Sequence, residues 1–234
     1  MDPNNERNAM VRAQLMRRGI TDSRVLDAMA TVPRHLFVPP EARAHAYGDR
    51  ALPISEGQTI SQPYIVALMA QALSLRPCDR VLEVGAGSGY AAAVLSQLAG
   101  EVYAIERWPA LAENAERCLH DLGYMNVHVF HGDGTTGLPA YAPFDAVVVS
   151  AAAPWVPRPL REQLGEGGRL VIPVGGRNEQ ILLRLIRTDH RTHTERLGEV
   201  RFVPLVGEHA WEPAEPEAGS RHDEGDDRQS TSDE

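Results

Sequence analysis

The chain has 234 residues, 43% of them hydrophobic, enough for one sizeable α/β domain with additions. No apolar run approaches the ~20 residues of a membrane span, and residues 1–8 are polar and lack the apolar core of a signal peptide. The net charge of −9 is concentrated at one end: residues 212–234 hold nine acids and two arginines, a net −7, which leaves −2 for the other 211 residues and no basic field for nucleic acid.

Taken in order, residues 6–18 have helical spacing, with Met10, Leu15 and Met16 placed on one face, and Gly19 stops the pattern. Thr21-Asp22-Ser23 is a cap cluster before a second short helix at 25–29, which Pro33 ends. Residues 33–40 are too proline-rich for a regular element, and 41–47 make a helical turn or two. These pieces are expected to cap the domain that follows rather than to stand alone. Residues 49–64 read as a polar loop leading into an apolar helix at 65–73. Within it, Pro63 suits a first helical turn and Ser61 suits its cap. Two readings of this loop stand. Thr59 and Ser61 form a helix cap and Gln58 is solvated, or the hydroxyls and amides form a lid over a site.

The run Arg80-Val81-Leu82-Glu83-Val84-Gly85-Ala86-Gly87-Ser88-Gly89-Tyr90 goes from a β-branched strand through a glycine-rich turn into an alanine-rich helix. A second strand at 101–105 ends in Glu106, 23 residues after Glu83, close to the ~20-residue offset at which an acid grips a ribose. The glycines follow Gly-x-Gly-x-Gly, so the dinucleotide fingerprint is not met. An acid two residues before the first glycine, with no packing role expected of the third, points to an adenosyl ligand without a pyrophosphate, S-adenosylmethionine. The bland alternative is a tight strand-to-helix turn with no ligand.

After Glu106, Pro109 starts a helix whose apolar face is Leu111, Ala112, Ala115, Cys118, Leu119 and Leu122, closed by Gly123. Further strands are predicted at 127–131, 144–150, 169–174, 180–187 and 199–205, with a short helix at 160–164. Alternating strands and helices imply a doubly wound, parallel sheet that binds ligands beyond its carboxyl ends. The loops at 85–89, 106–108, 132–134 and 151–154 then matter. Glu106 is placed on the ribose hydroxyls, and Glu83 on the glycine loop or the methionine ammonium. Asp133, between Gly132 and Gly134, accepts from the adenine amino group or simply forms a turn. Cys78 and Cys118 are in no metal spacing and read as small core residues of a reducing, cytoplasmic compartment. No metal is expected. From residue 212 on, proline, glycine and acids dominate, and disorder is expected.

Three stretches together, Val32-Pro33-Arg34-His35-Leu36-Phe37-Val38-Pro39, Gly57-Gln58-Thr59-Ile60-Ser61-Gln62-Pro63 and the glycine-loop run at 81–90, resemble the protein-L-isoaspartate O-methyltransferase family. So do Ala151-Ala152-Ala153-Pro154, Gly168-Arg169-Leu170-Val171-Ile172-Pro173-Val174-Gly175 and Phe202-Val203-Pro204-Leu205-Val206-Gly207. The resemblance runs from about Met10 to Trp211, and the Gln-Thr-Ile-Ser block is its specific part. It implies a Rossmann-like methyltransferase fold: a doubly wound, mostly parallel seven-stranded sheet with an N-terminal helical cap and C-terminal antiparallel strands. The expected division is 1–76 for the cap and substrate loop, 77–211 for the cofactor-binding core, and 212–234 for the tail. It implies methyl transfer from S-adenosylmethionine to the free carboxyl of L-isoaspartyl residues in peptides and proteins; a monomer is the expected state. Ser61 falls at the family's active-site position with Thr59 beside it. Glu106, Asp133 and Gln180 fall where the family contacts the cofactor, and Glu83, Gly85, Gly87, Gly89 and Gly134 complete the cofactor site expected from the loops. Tyr64 stands where some members have His, and Ala86 where Thr or Ser is commoner. Two rivals remain: a carboxyl methyltransferase of the same fold acting on a defined aspartate, and a non-catalytic adenosyl-binding protein.

Overall fold

The computed structural model describes residues 2–188 and 191–212. The acidic tail therefore lies outside the described residues from position 213 onward. Helix α1, Pro3–Met10, starts behind Asp2, whose side chain accepts from the Asn4 N–H. It runs on through a π turn, Val11–Leu15, and a 3₁₀ turn, Met16–Arg18, until Gly19 at φ +89° ends it. The π turn changes the expected face. Residues five apart align in a π-helix, so Met10 and Leu15 both point inward while Met16 is 52% exposed. Helix α2, Ser23–Thr31, is capped by Asp22, and short 3₁₀ turns at Arg34–Leu36 and Pro40–His45 fill the proline-rich stretch.

The stretch at 49–64 is not simply a loop. It contains a two-stranded hairpin, β1 (Leu52–Pro53) and β2 (Thr59–Ile60), with Leu52 opposite Ile60 and Pro53 opposite Thr59. Alternation along β2 buries Ile60 and leaves Thr59 exposed on the other face. Helix α3, Pro63–Leu73, follows.

The core is built from β3 (Arg80–Val84), α4 (Tyr90–Ser96), β4 (Glu101–Glu106), α5 (Pro109–Asp121), β5 (Val127–His131), β6 (Phe144–Val149), α6 (Arg158–Glu162), β7 (Leu164–Gly175), β8 (Gln180–Thr188) and β9 (Arg191–Val200). These seven long strands form one sheet in the order β5-β4-β3-β6-β7-β8-β9. Strands β3 to β7 are parallel; β8 and β9 are antiparallel. The cap shares the core of one face: Met10, Leu15, Val25 and Met29 pack into the same buried cluster as Val81, Val102 and Ala146. The other face is closed by Phe144, Val147, Leu160 and Leu164.

The final strand differs from expectation. The chain pairs as β9 over Arg191–Val200, not 199–205. Its nearly continuous exposure and its charges suit an outer edge, where one row of backbone groups stays unpaired and polar residues guard it. Residues 201–205 instead cross the carboxyl end of the sheet. There Ala152 N–H donates to Val203 O at 2.8 Å and Leu205 N–H to Ala152 O. Cys78 is exposed and Cys118 half-buried, so Cys78 is not the core residue expected of it.

Candidate active site

The chain winds from β3 outward through β4 to β5, then returns to β6 on the other side of β3. This reversal opens a crevice above the carboxyl ends of β3 and β6. Register places those ends level, with Val84 beside both Ile105 and Val149. A cleft of about 760 Å³ lies there, lined by Gly85, Gly87, Glu106, Asp133, Gly134, Ser150 and residues 203–206, among others. A second cleft of about 580 Å³ lies between the start of α3 and residues 197–203, and includes Ser61, Gln62 and Tyr64. A small cavity of about 50 Å³ sits between them, over Glu83 and the glycine loop. Thr59 and Ser150 line all three. Ser61 lines the small cavity and the second cleft.

The glycine loop is held from below by Glu106. Its Oε2 accepts the Gly87 N–H at 2.8 Å and its Oε1 accepts the Trp108 N–H at 3.0 Å, at the start of α5. The carboxylate thereby also meets the positive end of a helix. Each oxygen keeps a second acceptor position, and Glu106 lines the cleft, so both backbone support and ribose binding are compatible with its geometry. Gly85 and Gly87 line the cleft. Gly89 does not. It stands at φ +85°, and a methyl group there would meet Leu119 Cδ1 at 3.1 Å and Ala115 Cβ at 3.3 Å. The third glycine does have a packing role, letting the loop close onto α5.

Asp133 is a structural acceptor. Its Oδ1 takes the Thr135 N–H and hydroxyl at 2.9 and 2.7 Å, and its Oδ2 takes the Glu208 N–H at 2.8 Å. Burial works against ionisation, but these bonds and the Arg107 charge outweigh it and hold the carboxyl below its usual pKa. It ties the turn after β5 to the 207–209 turn, and Gly207 is required there because a side chain would collide with the carboxylate. Asp133 still edges the large cleft.

Gln180 is placed elsewhere. Its Oε1 accepts the Phe202 N–H at 2.8 Å, and its Nε2 donates to Gly176 O at 2.9 Å and Arg177 O at 3.1 Å. With its amide consumed by backbone, it lines neither cleft. It braces Arg177, which does line the larger one, and Phe202, which lines the second.

Ser61 is not a helix cap. Gln62 holds the N-cap position of α3, and no side chain bonds the first turn. The Thr59 and Ser61 hydroxyls make no side-chain hydrogen bond among the described residues, so both remain free where the clefts meet. Tyr64 lies in the second cleft with the Arg18 guanidinium 3.5 Å over its ring, and Arg18 is paired with Asp49 at 3.0 Å. Ser150 was not singled out from sequence. The available signal was a hydroxyl ending an otherwise apolar central strand, at the sheet end where ligands bind.

The profile of the protein-L-isoaspartate(D-aspartate) O-methyltransferase family matches residues 5–210. The chain belongs to this family. A protein-L-isoaspartate O-methyltransferase of Roseiflexus castenholzii is 67% identical over 211 residues, covering 90% of this chain and 96% of that one. One from Methanoculleus marisnigri is 54% identical over 207 residues, covering 88% and 94%. Among solved structures, a protein-L-isoaspartate O-methyltransferase superposes with a TM-score of 0.78 at 29% identity, over 88% of this chain and 67% of that one. A second, from Plasmodium falciparum in complex with S-adenosyl-L-homocysteine, gives 0.74 at 27% identity, over 86% and 98%. The seven-stranded sheet is thus that of a family of methyltransferases. Among the described residues no group of His, Cys, Asp or Glu is placed to hold a metal ion, and no helix is long and apolar enough to cross a membrane.

Proposed function

We propose that this protein transfers the methyl group of S-adenosylmethionine to the free α-carboxylate of L-isoaspartyl residues, the first step in repairing damaged peptides and proteins. The observation that carries this reading is the pair of uncommitted hydroxyls, Thr59 and Ser61, where the cofactor-sized cleft meets the second cleft. The cofactor fits the residues present. The larger cleft, about 760 Å³, offers Glu106 acceptor positions for the ribose diol, Asp133 at its edge for the adenine amino group, and backbone at Gly85, Gly87 and Gly134. When bound, S-adenosylmethionine supplies a methyl group activated by its sulfonium.

Everything else the chain does is positioning. A carboxylate is already ionised at neutral pH and needs no general base. Ser61 and Thr59 donate hydrogen bonds to it and hold one oxygen in line with the methyl carbon. The hairpin and the 201–205 crossing exclude water from that point. Such alignment supplies up to ~7–11 kcal/mol in well-oriented systems. The methyl ester then cyclises by attack of the next backbone nitrogen, expelling methanol, and the succinimide hydrolyses in part to normal aspartate.

We also propose a cytoplasmic monomer of cap 1–76, core 77–211 and tail 212–234. Unbridged cysteines support the reducing compartment, and size-exclusion chromatography with light scattering checks the monomer. The decisive test is labelled methyl transfer to two peptides that differ only in the isoaspartyl linkage. The isoaspartyl peptide is expected to be methylated and its aspartyl twin, with its carboxylate one methylene further from the main chain, ignored. Equal labelling of both would overturn the assignment.

A further inference from the structure

We propose that Ser150 is a third substrate-positioning hydroxyl, donating to the isoaspartyl carboxylate beside Thr59 and Ser61, and that the buried Glu83 sets the direction of that donation. This rests on the reading that the carboxylate lies where the clefts meet.

Ser150 follows β6 directly, and residues 146–149 before it are apolar and buried. With Thr59 it borders both clefts and the small cavity between them. Its one side-chain partner among the described residues is Glu83, with Oγ to Oε1 at 3.4 Å. That is long for a hydroxyl bond, so the Ser150 hydroxyl is not firmly committed. Glu83 is fully buried and its Oε2 has no partner.

Among the described residues, no basic side chain lines the cavity that Glu83 shares. Across the strands it faces Ala104 of β4 and Val148 of β6. Val66, Met69 and Ala70 of α3, Tyr90 of α4, and Thr59 and Ser61 of the hairpin segment share its cavity. The nearby charge is the like charge of Glu106 on β4. Burial pushes its pKa up to about 8, against the Ser150 hydrogen bond and with the help of Glu106. Before cofactor binds, burial thus favours the protonated form of Glu83 at neutral pH.

A hydroxyl has one proton to give and two positions that accept. Protonated Glu83 donates to Ser150 Oγ, and the Ser150 proton is then free to point at the substrate carboxylate. Ionised Glu83 can only accept. It takes the Ser150 proton, and Ser150 turns its lone pairs toward an incoming carboxylate. No proton leaves the pair during methyl transfer; only the direction of donation changes. The stabilising orientation is present below the Glu83 pKa and is lost as pH rises through about 8.

The test uses the full chain, saturating S-adenosylmethionine and an isoaspartyl peptide. Ser150→Ala is expected to raise the peptide KM about tenfold, the worth of one charge-assisted hydrogen bond, while S-adenosylhomocysteine affinity by calorimetry stays within about twofold. Ser150→Thr is expected to restore most of the loss. The wild-type kcat/KM should fall on the alkaline side. That fall should vanish in Glu83→Gln, whose amide donates at every pH. It should vanish in Ser150→Ala as well, which keeps the test open if Glu83→Gln does not fold. An unchanged KM in Ser150→Ala, or an alkaline fall that persists in the variants, overturns the proposal alone. A wild type that leaves isoaspartyl peptide unmethylated overturns it together with the proposed function.

Discussion

Ser61 stands two residues before Pro63, where a helix cap is expected, yet Gln62 takes that position and the first turn of α3 is left without a side-chain bond. A capping serine costs about 1 kcal/mol when lost; Ser61 caps nothing, so Ser61→Ala should leave the melting temperature almost unmoved. Its kcat/KM for an isoaspartyl peptide should fall about tenfold or more, with cofactor binding intact. A destabilised but fully active variant would return the residue to a structural role. Glu106 and Asp133 carry a related lesson. Both carboxylates are engaged by backbone N–H groups before any ligand arrives. The acids that shape the cofactor cleft also hold its walls.

At the scale of elements, the glycine turn between β3 and α4 is tied down on two sides. Glu106 holds Gly87 from β4, while Gly89 presses against α5. At φ +85° a side chain is strained, and at 3.1 Å from Leu119 Cδ1 it is crowded as well. Gly89→Ala is expected to cost ~2 kcal/mol, which lowers the melting temperature by about 4–8 °C in a domain of this size. Because Gly89 does not line the cleft, cofactor affinity measured well below that temperature should change little. A large loss of affinity with unchanged stability would place Gly89 in the site instead. The hairpin β1–β2 acts similarly at the other wall: its alternation turns Thr59 to the clefts while Ile60 anchors it in the core.

For the whole molecule, the described fold closes at Trp211. Its N–H donates to Leu205 O, its carbonyl accepts from Gly207 N–H, and the Arg177 guanidinium lies 5.0 Å over its ring. Closure at this point predicts that residues 214–234 are dispensable for folding. Removing residues 214–234 should leave both the melting temperature and turnover of a short isoaspartyl peptide unaltered, checked by calorimetry and by methyl-ester release. A clear drop in either would show that the acidic segment contributes to the folded enzyme.

Periodicity and turn chemistry lead to the parallel strands, most helices and the glycine turn after β3. Strand residues β-branched on both faces, glycines at positive φ and an acid closing β4 each follow from local sterics and from burial on two faces. The Gln-Thr-Ile-Ser block and its family resemblance were also legible without coordinates. What local pattern did not settle was which partner each polar group would find. The resemblance makes Gln180 a cofactor contact, yet the fold spends its amide on Phe202, Gly176 and Arg177. Gly89 reads as a loop glycine until α5 packs onto it. Residues 201–205 read as strand because they are apolar enough to pair, yet the polar edge strand β9 takes that place and frees them to wall the cleft. Ser150 gains its position only because β6 lies beside β3 in the sheet, 67 residues from Glu83 along the chain. Secondary structure depends on neighbours in sequence, whereas hydrogen-bond partners and cleft walls come from segments far apart, and only the tertiary structure brings those together.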